Sequence, residues 1–413
     1  MAFNIITEAR RCLNCKKPMC VEGCPISTRI PEVIHTFLEG DIDKAGAMLF
    51  ENNPLSVICS LICNHDNQCE GHCVLGRKST PVHFSSIENY ISDNYFDKLE
   101  AGDIEKKGMR VAVIGGGPAG ITIAILLARK GYDITIFESR EKIGGVLRYG
   151  IPEFRLPKSL IERYKKYLLS LGIRIRPNTS IGITITVDDL FRDGYRAVFI
   201  GTGVWRPNTL HIKGESLGNV HFAINYLTNP DVYALGDSLN IIGAGNSAMD
   251  VARTALRHGC KKVTVFSRSE NMAANISEIE YAKFDGVEFV TGVEPVEIRE
   301  DGTVFVKSEK NSEGKRVRVE GSEKLYPATS TIIAVSQGPR NRIVSTTTGL
   351  DITDKGLLVT NTYGETTRDG IFAAGDVVLG ARTVVEAVNY SKQVANTMDE
   401  YLQSLTEQGA ADQ

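Results

Sequence analysis

One local pattern occurs twice in this chain and restricts its fold more than any other feature. RVAVIGGGPAGITIAILLARKGYDITIFES starts at Arg110 and LNIIGAGNSAMDVARTALRHGCKKVTVFSRS at Leu239. Each reads as an apolar strand, a Gly-rich turn, a helix and a second strand rich in β-branched residues, which together make one βαβ unit. Parallel strands need a crossover helix and cover on both faces, so two such units imply two α/β layers.

In the first unit Gly115, Gly117 and Gly120 form G-x-G-x-x-G directly after the strand, with Pro118 and Ala119 opening the helix. The first glycine permits the tight turn, the second lets backbone approach a pyrophosphate, and the third allows close helix–strand packing. The helix start offers unpaired N–H groups and a positive dipole end to that pyrophosphate. Glu138 ends the second strand, where a carboxylate can accept hydrogen bonds from ribose hydroxyls. In the second unit Gly243, Gly245, Asn246, Ser247 and Ala248 take the corresponding places, but Ser267 replaces the acid and Arg268 follows it. Losing a carboxylate and gaining a guanidinium suits a ribose 2′-phosphate, so NADPH is expected over NADH.

Eight of the nine cysteines lie at 12, 15, 20, 24, 59, 63, 69 and 73. Cytosolic thiols stay reduced, so this crowding points to metal rather than disulfides. The spacings C-x2-C-x4-C-x3-C-P and C-x3-C-x5-C-x3-C suit iron–sulfur clusters, which take about four thiolates each. Four-thiolate zinc also uses paired cysteines, but zinc beside a redox nucleotide module leaves electrons no exit. Only Cys260 lies elsewhere, at a helix end, so the redox-active cysteine pair of a disulfide reductase is not expected.

At 413 residues the chain is long for one core. Its net charge of −3 speaks against nucleic acid as a partner. No stretch approaches the roughly 18 apolar residues of a membrane span, and a cytoplasmic protein without a membrane partner is expected.

The segments RCLNCKKPMCVEGCP, NNPLSVICSLIC, SIENY, GGGPAG, GIPEFRLPK and FAAGDVVLGARTVVEAV together resemble the small (β) subunit family of NADPH-dependent glutamate synthase, with the N-terminal half of dihydropyrimidine dehydrogenase as a relative. The resemblance covers nearly the whole chain. It implies an α/β fold in which a helical iron–sulfur domain (1–104) precedes two Rossmann-like domains. These are an FAD domain (105–222 and 341–413) interrupted by an NAD(P)H domain (223–340).

The same resemblance implies two interlaced [4Fe–4S] clusters. Cys12, Cys15 and Cys20 join distant Cys73, while Cys24, Cys63 and Cys69 take Glu88 as fourth ligand, which leaves Cys59 spare. For FAD it implicates Gly145, Arg155, the pair Gly375-Asp376, and Thr383 at the start of a late helix. One departure is that Ser269 and Ala273-Ala274 stand where the family commonly has further basic residues, so discrimination for the 2′-phosphate is expected to be weak.

Hydride transfer to a flavin needs alignment more than an acid–base group, and no catalytic side chain is nominated. The expected role is an electron-input subunit that oxidises NADPH (or NADH) at FAD and passes electrons through the clusters to a larger catalytic subunit, glutamate synthase foremost. The alternatives are the NAD(P)H-oxidising subunit of a bacterial dihydropyrimidine dehydrogenase, a ferredoxin-linked transhydrogenase, or a nucleotide-sensing scaffold without activity. Glu88 leans toward the first and third of these enzymes, because dihydropyrimidine dehydrogenases have Gln at that place.

Overall fold

The computed structural model describes residues 4–312 and 314–411. The chain divides into two units, one of residues 1–147, 153–204 and 338–413 and one of 148–152 and 205–337.

The first unit begins with short helices: α1 (Ile5–Ala9), α2 (Ile30–Leu38), α3 (Ile42–Asn52), α4 (Ser56–Ile62) and α5 (Phe84–Phe96). The apolar stripe Ile30, Val33, Ile34 and Phe37 follows the helical period, and all four side chains are buried. Each contributes roughly 1.5–3 kcal/mol through burial. They pack with Leu49, Ile87, Ile91 and Cys69, and half-buried Cys12, Cys20 and Cys73 close the same core. The domain is too small for a large apolar interior, and its thiols complete what there is.

The chain then enters a parallel sheet through β1 (Arg110–Ile114), helix α6 (Pro118–Arg129) and β2 (Asp133–Phe137). Pro118 sits in the first turn of α6, where a missing N–H costs nothing, and nine of the twelve residues of α6 are buried. Helix α7 (Lys158–Ser170) leads to β3 (Arg174–Arg176), and β4 (Tyr195–Ile200) pairs with β1. From α7, the buried Tyr164 hydroxyl donates to Pro54 O at 2.9 Å. Arg163 reaches Asp93 and Asp97 on and just beyond α5. These bonds fasten the helical domain to the sheet that follows it.

The second unit has its own five-stranded parallel sheet. It contains β5 (Val220–Phe222), β6 (Ser238–Ile242), helix α8 (Asn246–Arg257), β7 (Lys262–Ser267), helix α9 (Ile276–Phe284) and β8 (Glu288–Thr291). An antiparallel insert follows, with β9 (Val293–Arg299), β10 (Gly302–Lys310), β11 (Arg316–Arg318) and β12 (Lys324–Pro327). Strand β13 (Ser330–Ile333) then returns to the parallel sheet, giving the order β5-β13-β6-β7-β8.

Back in the first unit, β14 (Ile371–Ala373) completes the order β14-β4-β1-β2-β3, and helix α10 (Val384–Ala411) packs on α6. Asp399 of α10 accepts from Lys130 Nζ and the Tyr132 hydroxyl, both at 2.6 Å. Those contacts lower the Asp399 carboxyl to about 2 even though burial alone would raise it. Two α/β layers with parallel sheets, one holding an N-terminal helical domain, is the architecture expected. No helix among the described residues is long and apolar enough to cross a membrane.

Candidate cofactor sites

In the first sheet the turn after β1 is shaped by contacts that only glycine permits. Gly115 has φ +102°, and a Cβ there would stand 2.6 Å from Gly201 O. A Cβ on Gly120 would meet Gly115 O at 1.9 Å, whereas the nearest atom to one on Gly117 is Gly145 Cα at 3.8 Å. The turn is therefore tight at its first and third glycines and open at its second, above the N–H groups that start α6. Glu138, buried at the end of β2, accepts from Gly116 N at 2.8 Å through Oε2 and from Arg140 N at 2.9 Å through Oε1. Its carboxylate ties the turn to the strand end; Ser139 Oγ also donates to Oε1 at 3.2 Å, so it is Oε2 that keeps a lone pair for a ligand hydroxyl.

Two distant segments reach this turn. Gly145 lies against Gly117, and Gly375, with φ +78°, lies 3.1 Å (from an added Cβ) from the Ala119 methyl. Asp376 follows and accepts from Arg382 N at 3.3 Å. Burial is the largest influence on its carboxyl, which is raised to about 7. Thr383 and Glu386 cap each other at the head of α10: Thr383 N donates to Glu386 Oε2 at 3.0 Å and Glu386 N to Thr383 Oγ1 at 3.4 Å. Arg155 is half-buried on the loop before α7. Thus Gly115, Gly117, Pro118, Ala119, Gly120, Glu138, Gly145, Gly375 and Asp376 come together around one helix start.

The second turn repeats the geometry. Gly243 has φ +118° with Ala334 O 2.3 Å from an added Cβ, Gly245 has nothing within 4 Å, and Ala248 is fully buried. Asn246 accepts from Asn275 N at 2.8 Å and donates to Asn275 Oδ1 at 3.2 Å. Asn275, 4% exposed, fixes the mouth of this turn and carries no sequence signal. Ser247 lies in the first turn of α8. Ser267 Oγ donates to Ser269 O at 2.7 Å, and Arg268 is exposed beside it.

The cysteines fall into two groups. Cys12, Cys15, Cys20, Cys69 and Cys73 line one cavity with Leu13, Met19 and Ile34, so Cys69 touches both groups. Burial pushes the Cys20 thiol up to about 11 and raises Cys12, with the neighbouring cysteines adding to both. The second group is Cys24, Cys63, Cys69 and Glu88. The Cys63 thiol is pushed well up, first by its hydrogen bond with Cys59 and then by burial, with Glu88 and Cys69 adding. Burial raises Cys69, and Glu88 and Cys24 reinforce it.

Glu88 is only 7% exposed, and it makes no hydrogen bond or ion pair to any described residue. Burial drives its carboxyl well above the carboxylate range. An isolated buried carboxyl is costly unless something absent from the protein chain compensates it, and a metal cluster would do so. Among the described residues no three Cys, His, Asp or Glu side chains converge on a single ion. A cubane cluster does not require that, since each of its four irons takes its own ligand. Cys59 is 2% exposed and hydrogen-bonded to Cys63, and Cys260 belongs to the core of the second unit. Glu70, also buried, accepts from Ser85 N at 2.8 Å and faces His83, and no spacing in the sequence marked it.

Two parallel-sheet nucleotide folds and a cysteine-rich helical domain define an α/β flavoprotein reductase with an iron–sulfur appendage. Comparison with known proteins gives the family. Residues 109–393 match the pyridine nucleotide-disulphide oxidoreductase profile, and residues 2–99 match dihydropyrimidine dehydrogenase domain II, 4Fe–4S cluster. The small chain of glutamate synthase [NADPH] from Escherichia coli is 31% identical over 96% of this chain and 91% of its own length. The NAD-dependent dihydropyrimidine dehydrogenase subunit PreT of the same species is 32% identical over 96% and 94%. Among solved structures, Mycobacterium tuberculosis FprA in complex with NADPH aligns at TM-score 0.62 and 18% identity, over 73% of this chain and 86% of that one, a likeness of fold.

The chain belongs to the pyridine nucleotide-disulphide oxidoreductase family, in the group that includes glutamate synthase small chains and PreT subunits. It is an NAD(P)H-dependent flavin and iron–sulfur oxidoreductase that acts as an electron-transfer subunit.

Proposed function

We propose that this protein is the electron-input subunit of a glutamate synthase, oxidising NADPH and delivering electrons through two [4Fe–4S] clusters to a larger catalytic subunit. Residues 1–104 hold the clusters, 105–222 and 341–413 hold FAD, and 223–340 hold the nicotinamide nucleotide. The observation that carries the reading is the largely buried Glu88 carboxyl, without a hydrogen-bond or ion-pair partner among the described residues and beside Cys63 and Cys69, a placement that suits a cluster ligand.

FAD at the first turn supplies the conversion of one hydride into two single electrons. The protein's part is placement. The N–H groups at the head of α6 and the open face of Gly117 receive the pyrophosphate, Glu138 takes the ribose, and Asp376 lies where the ribityl chain passes. At the second turn Gly245 gives the dinucleotide room, and Arg268 meets the 2′-phosphate. Cys12, Cys15, Cys20 and Cys73 hold one cluster, and Cys24, Cys63, Cys69 and Glu88 hold the other.

A second reading, the NADH-oxidising subunit of a dihydropyrimidine dehydrogenase, is favoured by one observation: Arg268 stands alone, with Ser269 next to it and Ala273-Ala274 beyond. Anaerobic addition of NADPH and of NADH to purified protein tests both. Bleaching of the flavin absorbance by NADPH, with about eight irons per chain and a glutamate synthase large subunit in the native complex, is the expected result. No bleaching by either nucleotide overturns both readings and leaves the scaffold reading, while zinc in place of iron overturns the cluster assignment. Clear preference for NADH with a pyrimidine-reducing partner selects the second.

A further inference from the structure

The cavity lined by Cys12, Cys15, Cys20 and Cys73 opens among cations. Arg10, Lys16 and Lys17 flank its first three cysteines, and Arg77 and Lys78 follow its lining residues Val74 and Leu75. All five are exposed, and none has an ion-paired or hydrogen-bonded acid among the described residues. Arg11 fixes the two basic segments side by side, since its guanidinium donates to the Thr80 and Pro81 carbonyls. The guanidinium also pairs with Glu8, which takes that acid out of the surface charge. Across 10–24 and 73–80 the only carboxylate is Glu22, in a chain whose net charge is −3. Leu13, which lines the same cavity, is 61% exposed between Cys12 and Cys15 in the sequence.

An exposed apolar side chain beside two adjoining segments of unpaired like charges suits a protein docking patch: the apolar side chain supplies contact area and the charges steer a partner of opposite sign. Electron tunnelling weakens steeply with distance, and Cys12, Cys15, Cys20 and Cys73 are all only half-buried, so electrons held there lie close to this surface. We infer that the surface around Leu13 is the electron-exit face and that the larger partner subunit presents its one-electron acceptor there behind an acidic rim around an apolar centre. The inference rests on the electron-transfer reading above and adds the site and charge of the docking.

Two small haem proteins of opposite surface charge, acidic cytochrome b5 and basic cytochrome c, test it with the holoprotein. One NADPH reduces two ferric haems and releases one proton, and haem absorbance reports the rate. Menadione, a small neutral acceptor, reports flavin turnover without docking. The expected result is that cytochrome b5 is reduced faster than cytochrome c. Its rate should fall about tenfold between low salt and about 0.3 M salt, while menadione reduction changes less than about twofold.

Lys16→Glu/Lys17→Glu should slow cytochrome b5 about tenfold at unchanged iron content and menadione rate, and should speed cytochrome c. If that variant loses iron, Arg77→Glu/Lys78→Glu, further from the cysteines, decides by the same measure. Wild-type cytochrome b5 rates in an iron-replete variant, or no preference between the two haem proteins, overturn the docking face and leave the oxidoreductase reading intact. Absence of menadione reduction defeats that reading, and the docking proposal with it.

Discussion

Glu88 is where a single residue bears most on this protein. Its carboxyl is buried and unpartnered, so its surroundings in the chain favour neither a charge nor a hydrogen bond. If it holds iron, Glu88→Ala alters the electron paramagnetic resonance signal of one reduced cluster and spares the other, and Glu88→Cys restores a four-ligand cluster at a shifted potential. Two unchanged signals in Glu88→Ala would leave the residue without a metal role.

Asp376 gives a pH dependence. Its carboxyl is raised from 3.8 to about 7, chiefly by burial. The folded chain thus binds this proton more tightly than the unfolded one does. The stability from this group is complete below about pH 4 and is lost as pH rises through about 7. At about 1.4 kcal/mol per unit the loss is at most on the order of 4 kcal/mol. In urea unfolding of flavin-free protein, Asp376→Asn should flatten the decline in stability between pH 4.5 and 8. A slope identical to the wild type's would contradict it.

At the scale of elements, the two Gly-rich turns are alike in shape but differ in what substitution does. A side chain at Gly120 collides with Gly115 O and breaks the turn itself. At Gly245 the backbone is extended (φ −91°, ψ 179°) and the space is open, so Gly245→Val folds normally and fills only the approach of a pyrophosphate. With menadione as acceptor, its KM for NADPH should rise more than about tenfold at unchanged flavin content. Loss of flavin, or an unaltered KM, would place the nucleotide elsewhere.

Elements were also the best-read level of the sequence. The strand, turn and helix of each unit depend on residues a few positions apart, and they form where the pattern put them, at β1-α6-β2 and β6-α8-β7. Asn275 was invisible because its hold on Asn246 is made across a turn and a helix start that share no local pattern.

For the whole molecule, the count of redox groups sets the count of electrons. On the proposed count, a flavin that takes two electrons and two clusters that take one each absorb about two equivalents of NADPH per chain in an anaerobic titration. An end point near one equivalent would mean that the clusters lie outside the path from the nucleotide.

The sequence by itself determined that two nucleotide folds exist, where their glycines lie, and that the crowded cysteines serve metal. Those properties follow from local geometry: φ above zero, a close backbone approach, short ligand spacing. Spacing alone divided the thiols into two consecutive fours, and only the resemblance to a family interlaced them. Tertiary structure decided which thiols share a cavity, that Glu88 is buried without a partner among the described residues, and that Arg11 bonds Thr80 and Pro81 and so brings two basic segments together. These outcomes depend on helices far apart in the chain packing into one small core, and the energy of that packing is written in no single segment.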